Sequence, residues 1–92
     1  MIHSFADRDT EELFVRQKNR HFSAIARVAL RKLIQLNQAR ALGDVAVPPG
    51  NRLESLAGNL AGFHSIRIND QWRIVFRWQD GGCSEVSIMD YH

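Results

Sequence analysis

Residues 63–89, FHSIRINDQWRIVFRWQDGGCSEVSIM, decide the fold. Apolar and polar residues alternate in three runs, Phe63 to Ile68, Trp72 to Trp78 and Cys83 to Met89. A period of two marks strands that bury one face. Asn69-Asp70-Gln71 and Asp80-Gly81-Gly82 separate the runs, and both are residue types that close hairpins. With Asn69-Asp70-Gln71 as the loop, Ile68 faces Trp72, Arg67 faces Arg73 and Ile66 faces Ile74. Ile66, Ile68, Ile74 and Phe76 then share one face with Val86 and Ile88, and this is the expected core. Ser65, Arg67, Arg73 and Val75 take the other face, joined by Tyr91 through alternation.

Directly opposed like charges destabilise a strand pair, so Arg67 and Arg73 call for an anion between or beside them. A carboxylate such as Glu54 or Asp90 would make this a satisfied charge cluster. A bound phosphate would serve as well, and arginine suits planar, multi-bond phosphate recognition. Both readings stand on the residues alone. On either, removing one arginine is expected to relieve repulsion. The same register sets Arg77 near Glu85, as a surface ion pair.

Working outward, Arg52 to Leu56 is a further short strand candidate. Val47-Pro48-Pro49-Gly50-Asn51 is the clearest break in the chain, unsuited to a helix interior and suited to an ordered crossing loop. Before it, Ile25, Val28, Ala29, Leu33 and Leu36 recur at helical spacing, which predicts a helix from about Ser23 to Leu42, stopped by Gly43. An earlier helix is expected to start near Asp9 or Thr10, with Asp9 and Glu12 at the spacing of a capping box, and to end around Lys18-Asn19-Arg20. Met1 to Phe5 reads as a short strand. The order β-α-α-β-β-β-β predicts an α+β fold, a mostly antiparallel sheet with two helices packed on one face.

At 92 residues the chain has room for one modest core, so residues 1–92 are expected to form a single domain. Its single cysteine, Cys83, allows no internal disulfide and fits a reducing cytoplasm. Asp7, Arg8 and Asp9 interrupt any leader-like apolar run, and charges break every stretch short of the ~20 residues a membrane helix needs. Residues 1–50 hold eight Lys/Arg against five Asp/Glu, whereas residues 51–92 hold four against five, so the positive charge belongs to the helical half. A basic half serves nucleic acid, an acidic partner, or nothing at all.

His3, His21, His64 and His92 have no metal-ligand spacing, so a zinc site is not expected. His64 alternates with Ile66 toward the core, where a hydrogen-bonded histidine is the default. Ser65 and Ser87 lack a base at motif spacing, and Trp72 and Trp78 read as hydrophobic anchors. The C-terminal Asp90-Tyr91-His92 brings a carboxylate, a phenol and an imidazole to the end of a strand, and imidazole suits proton transfer near neutrality.

Three segments in order, Gly50 to Asn59, His64 to Ile74 and Asp90 to His92, give the chain its resemblance to the RelE superfamily of bacterial toxins, most closely the HigB-like branch. The resemblance implies a type II toxin–antitoxin toxin: a ribosome-dependent endoribonuclease cutting messenger RNA by 2′-hydroxyl attack, without metal or cofactor. It implies a cognate antitoxin, helix-turn-helix and HigA-like, as partner beside the ribosome and messenger RNA. Residue by residue, Glu54 matches the general-base glutamate of YoeB-like relatives, Arg73 the phosphate-stabilising arginine and His92 the general acid. The resemblance makes Arg67 a second candidate for the phosphate, Tyr91 a candidate to orient the RNA by stacking, and Asp90 a candidate to hold His92 or Arg73. Alternation sends His92 to the face opposite Tyr91 and Arg73, so its role requires a twist or bulge at the strand end. Some HigB relatives carry histidine at the position of Glu54 and lysine at that of Ala57. Arg20, Arg27, Arg31, Lys32 and Arg40 form a basic stripe, which in such a nuclease would meet ribosomal RNA phosphates without reading sequence. The rival readings are a non-catalytic gyrase inhibitor on the same scaffold and a decayed toxin that only binds its antitoxin.

Overall fold

Ile66 and Ile74 are fully buried opposite each other, and that burial sets the pairing of the sheet. The computed structural model describes residues 1–90. Two helices, α1 (Arg8–Arg16) and α2 (Ala26–Gln38), precede four strands: β1 (Glu54–Ser55), β2 (Phe63–Arg67), β3 (Trp72–Gln79) and β4 (Gly82–Asp90). The strands form one antiparallel sheet in chain order. Leu13 of α1 and Ala29, Leu33 and Leu36 of α2 pack with Ile66, Ile74, Phe76, Val86 and Ile88 in one core cluster. This is the α+β architecture expected from the sequence, with both helices on the isoleucine face.

The hairpins follow from local chemistry. Between β2 and β3, the Asn69 side chain accepts the amides of Gln71 and Trp72 at 2.9 and 2.8 Å, and the Ile68 amide donates to the Trp72 carbonyl. Arg67 therefore pairs with Arg73, as alternation predicts. Between β3 and β4, Asp80 and Gly81 both have positive φ, 53° and 73°, the signature of a two-residue type I′ turn.

β4 contains a bulge. Val75 pairs with Ser87 and Arg77 with Ser84, so Glu85 and Val86 together oppose Phe76, and Glu85 is left-handed at φ 52°. The extra residue lets Cys83 and Val86, three positions apart, both point into the core. It also turns Glu85 outward to Arg77, 3.0 Å away, the ion pair expected from the register. Burial pushes the Cys83 thiol up to about 11.

The bulge explains why Met1 to Phe5 is not a continuous strand. Ile2 and Phe5 form isolated parallel bridges to Cys83 and Val86, on either side of Glu85, whose amide donates to the Ser4 hydroxyl instead of to a ladder. At Gly82 any Cβ would collide with the Met1 carbonyl and the His3 ring, so the close approach of this segment requires glycine.

Both helix boundaries differ from the sequence expectation for identifiable reasons. Asp7, not Asp9, caps α1, accepting the Thr10 amide at 2.7 Å and the Thr10 hydroxyl at 2.9 Å. Asp9 and Glu12 instead hold the Asn19 side-chain amide at 3.0 and 2.9 Å. The second helix begins at Ala26 rather than Ser23, because Phe22 is drawn into the core and packs edge-on against Trp72. It ends at Gln38, well before Gly43, where the Asp44 carboxylate captures the amides of Arg40 and Ala41. Short side chains that bond the backbone this way compete with helix. These two bonds hold the Asp44 carboxyl below its usual range.

Thr10, fully buried, also accepts the Ile88 amide at 3.0 Å, tying α1 to β4. Thr10→Val keeps the shape and strands that amide, and should cost about 1–3 kcal/mol of stability in urea unfolding. Thr10→Ser, which keeps the oxygen, should recover most of the loss; equal loss in both variants would refute the role of this bond.

Candidate active site

The site is built around a guanidinium that the sheet buries. Arg73 of β3 is 8% exposed, unusually low for arginine. Its Nε donates to Ser65 Oγ of β2 at 2.8 Å and its Nη2 to the Arg52 carbonyl at 2.7 Å. Arg52 can present that carbonyl because it leaves the Pro49–Asn51 turn in a left-handed conformation, φ 48°. The next residues run into β1, where Glu54 pairs with Ser65. Glu54 Oε2 thus lies 3.8 Å from Arg73 Nη2, and its side chain is 52% exposed against 10% for Arg73. At this distance the pair attracts without a hydrogen bond. The result is a fixed cation beneath a carboxylate open to solvent.

The opposed arginines resolve their repulsion by dividing the carboxylates. Arg73 turns toward β1 and Glu54, while Arg67 turns toward the hairpin and pairs with Asp70. Asp70 is 99% exposed and Arg67 34%, so this second pair is screened and contributes little to stability. Arg67 can exchange such a partner for another anion at small cost.

A third cation joins them from α2. Lys32 Nζ donates to Asn51 Oδ1 at 2.7 Å, and Asn51 is 1% exposed. Burial lowers the Lys32 pKa from the ordinary lysine range, and the positive charges of Arg31, Arg67 and Arg73 lower it further. Arg27 and Arg31 are exposed on α2, and Arg20 and Arg40 are exposed in the segments flanking it. The expected basic stripe is therefore shorter than the sequence suggested, and Lys32 faces the arginines of the sheet.

Asp90 pairs with Trp72 at the end of β4, and its Oδ2 accepts from Gln71 Nε2 at 3.0 Å. Tyr91 and His92, the expected stacking group and general acid, lie outside the described residues. His64 departs from expectation: it stacks on Phe76 with ring centroids 6.0 Å apart, and its buried Nδ1 has no hydrogen-bond partner among the described residues. Trp72 packs against His21 and Phe22 as an anchor. Among the described residues no group of three or more His, Cys, Asp or Glu side chains could hold a metal ion, and no helix is long and apolar enough to cross a membrane. Sequence reasoning placed Ser65 on the right face without assigning it to Arg73. It missed the Arg52 carbonyl and the Lys32–Asn51 contact, which only the crossing loop creates.

Residues 3–92 match the family described as the RelE-like toxin of type II toxin–antitoxin system HigB. The chain is 42% identical over 83 residues to Toxin HigB-1 of Vibrio cholerae, covering 88% of this chain and 87% of that one. Among solved structures it resembles the YoeB–YefM complex from Staphylococcus aureus, with TM-score 0.63, 21% identity, and coverage of 100% of this chain and 98% of that one. YafQ from E. coli strain BL21(DE3) superposes with TM-score 0.56 at 15% identity, covering 98% and 91%. These two distant likenesses concern the fold.

The contacts of Arg73 reverse one expectation drawn from the sequence. Since Arg67 and Arg73 already have separate partners, deleting Arg73 leaves Ser65 Oγ and the Arg52 carbonyl without their donor. Arg73→Ala should lose about 1–3 kcal/mol in urea unfolding. Unchanged or increased stability would mean that repulsion from Arg67 still dominates.

Proposed function

The chain belongs to the HigB branch of the RelE-like toxins of type II toxin–antitoxin systems, and from that premise we propose that it is an endoribonuclease cutting messenger RNA on the ribosome. The observation that carries this reading is the Glu54–Arg73 pair, an exposed carboxylate 3.8 Å from a buried, pre-oriented guanidinium. Cleavage by the 2′-hydroxyl needs a base at that oxygen and positive charge at the adjacent phosphate, and this pair offers both within one reach.

In the proposed reaction Glu54 takes the 2′-OH proton as the oxygen attacks phosphorus. Arg73 stabilises the crowded, doubly charged phosphorane, with Arg67 released from Asp70 to assist. Its contacts with Ser65 and the Arg52 carbonyl hold the guanidinium in place before substrate arrives, so little reorganisation is spent in the transition state. His92 protonates the departing 5′-oxygen, Tyr91 stacks on a base, and Asp90 orients the C-terminal groups. The products are a 2′,3′-cyclic phosphate and a 5′-hydroxyl. Side chains supply every proton and charge in this scheme, which calls on no metal.

Glu54 sits on a two-residue strand and is half exposed, so the site itself gives RNA few walls. The ribosome would supply the alignment, with Arg20, Arg27, Arg31 and Arg40 meeting its phosphates, in the cytoplasm where translation runs. Purified protein should then cut translated messenger RNA and leave free RNA nearly intact. A tight antitoxin, helix-turn-helix and HigA-like, would hold the toxin inactive; that there is an antitoxin partner at all is supported by membership of a type II toxin–antitoxin family.

Single-turnover cleavage on programmed ribosomes tests the chemistry. Glu54→Gln and His92→Ala should each lose roughly 100-fold or more, and Arg77→Ala, whose guanidinium lies over the Phe63 ring and beside Glu85, should change little. Charge reversal at Arg27 with Arg31 should weaken ribosome binding and steepen its loss with salt. Gyrase inhibition without any RNA cleavage would replace this reading with that of a non-catalytic inhibitor.

A further inference from the structure

We propose that Lys32 is a phosphate-binding residue of this same site, held by Asn51 so that its ammonium meets a non-bridging oxygen of the messenger RNA backbone beside Glu54 and Arg73. The inference rests on the nuclease reading and adds a group from the helical layer to a site otherwise made by the sheet.

Three observations carry it. The first is the construction of the Asn51 contact. Asn51 Nδ2 donates to Gln35 Oε1 at 3.0 Å, to the Val45 carbonyl at 3.1 Å and to the Val47 carbonyl at 3.4 Å. All acceptors lie on one side of the amide, so its Oδ1 is fixed toward Lys32. The second is adjacency. Asn51 holds Lys32 while the next residue, Arg52, holds Arg73 through its carbonyl, so consecutive residues of one loop clamp two cations. The third is the charge balance. Among the described residues no carboxylate lies within ion-pair distance of Lys32, whose neighbours Arg31, Arg67 and Arg73 are themselves positive. Gathering cations around a half-buried ammonium opposes folding, and an incoming anion reverses that cost. The contact with Asn51 uses one of the three ammonium donors, which leaves two for a phosphate.

The sign of the titration agrees. Burial and like charges lower the Lys32 pKa, disfavouring the charged form in the free protein. A bound phosphate adds an opposite charge and must raise it again.

Two measurements test the proposal. The chain has only two lysines, Lys18 and Lys32, so NMR of isotopically labelled lysine side chains reads Lys32 directly, with Lys18 as internal control. Titration with inorganic phosphate should move the Lys32 signals saturably and shift their titration to higher pH, leaving those of Lys18 in place. Lys32 signals that do not respond would overturn the proposal, whatever the fate of the nuclease reading. In the second, programmed ribosomes saturated with toxin carry messenger RNA with sulfur in place of each non-bridging oxygen in turn. Lys32→Gln should slow cleavage roughly 10-fold or more. It should also shrink the penalty of one sulfur substitution relative to wild type, the non-additivity expected when both changes remove one contact. Equal sulfur penalties in wild type and variant would reduce Lys32 to a loop support and overturn the proposal. Lys18→Gln, at a lysine outside the site, should leave both the cleavage rate and the sulfur penalties as in wild type. A phosphate response at Lys32 in a wild type that cuts no translated RNA would sink the nuclease reading and leave the anion site standing.

Discussion

The burial of Ile66 against Ile74 is the constraint on which the rest depends. A strand pair cannot slip by one residue without exchanging its faces. With both isoleucines fully buried, Arg67 and Arg73 must stand opposite each other on the other side. A like-charge pair is therefore imposed by the hydrophobic core. The protein accommodates it by sending one guanidinium to the hairpin loop and the other to the neighbouring strand. The register that packs the core thus also sets a cation beneath Glu54.

The crossing loop supplies the second half of the arrangement. Residues 42–52 run through two short 3₁₀ turns, with Val45 of the first buried, and they bring the Arg52 carbonyl to Arg73 and the Asn51 side chain to Lys32. An arginine in such a location is costly unless its donors are satisfied. Ser65 and Arg52 accept two hydrogen bonds from Arg73, and neither a hydroxyl nor a carbonyl brings a full charge. Glu54, at the limit of ion-pair distance, stays exposed. A closer, bidentate pair would have bound the two groups to each other and left less of either for a ligand.

Much of this was legible in the sequence because it rests on alternation. The three long strands, both hairpins and the Arg67–Arg73 opposition follow from a period of two and the residues at the turns, whereas the bulge in β4 is what turns the expected partner Glu85 toward Arg77. What failed to show was decided by local competition. The spacing of Asp9 and Glu12 pointed to Asp9 as the cap, but Asp7 takes that place by bonding Thr10, whose hydroxyl also serves Ile88. Nothing in the α2 periodicity announces that Asp44 will take the amides beyond Gln38. The first strand dissolved into bridges because one residue of β4 adopts a positive φ. Lys32 looked like its neighbours in the basic stripe, and only a contact across 19 residues sets it apart. The resemblance to a known family located Glu54 and Arg73 together, whereas the residues alone left their anion open between a carboxylate and a phosphate.

The N-terminal segment along β4 has a consequence for how this protein meets other molecules. Exposed strand edges are templates for pairing with further chains, and small β proteins guard against this. Here Met1, Ser4 and Thr10 bond the outer side of β4 at Cys83, Val86 and Ile88. The opposite edge, β1, is two residues long. Over the described residues the sheet therefore offers little continuous backbone for strand addition. Along these edges recognition of another macromolecule rests on side chains and shape, and crowded copies have scant purchase for edge-to-edge polymerisation.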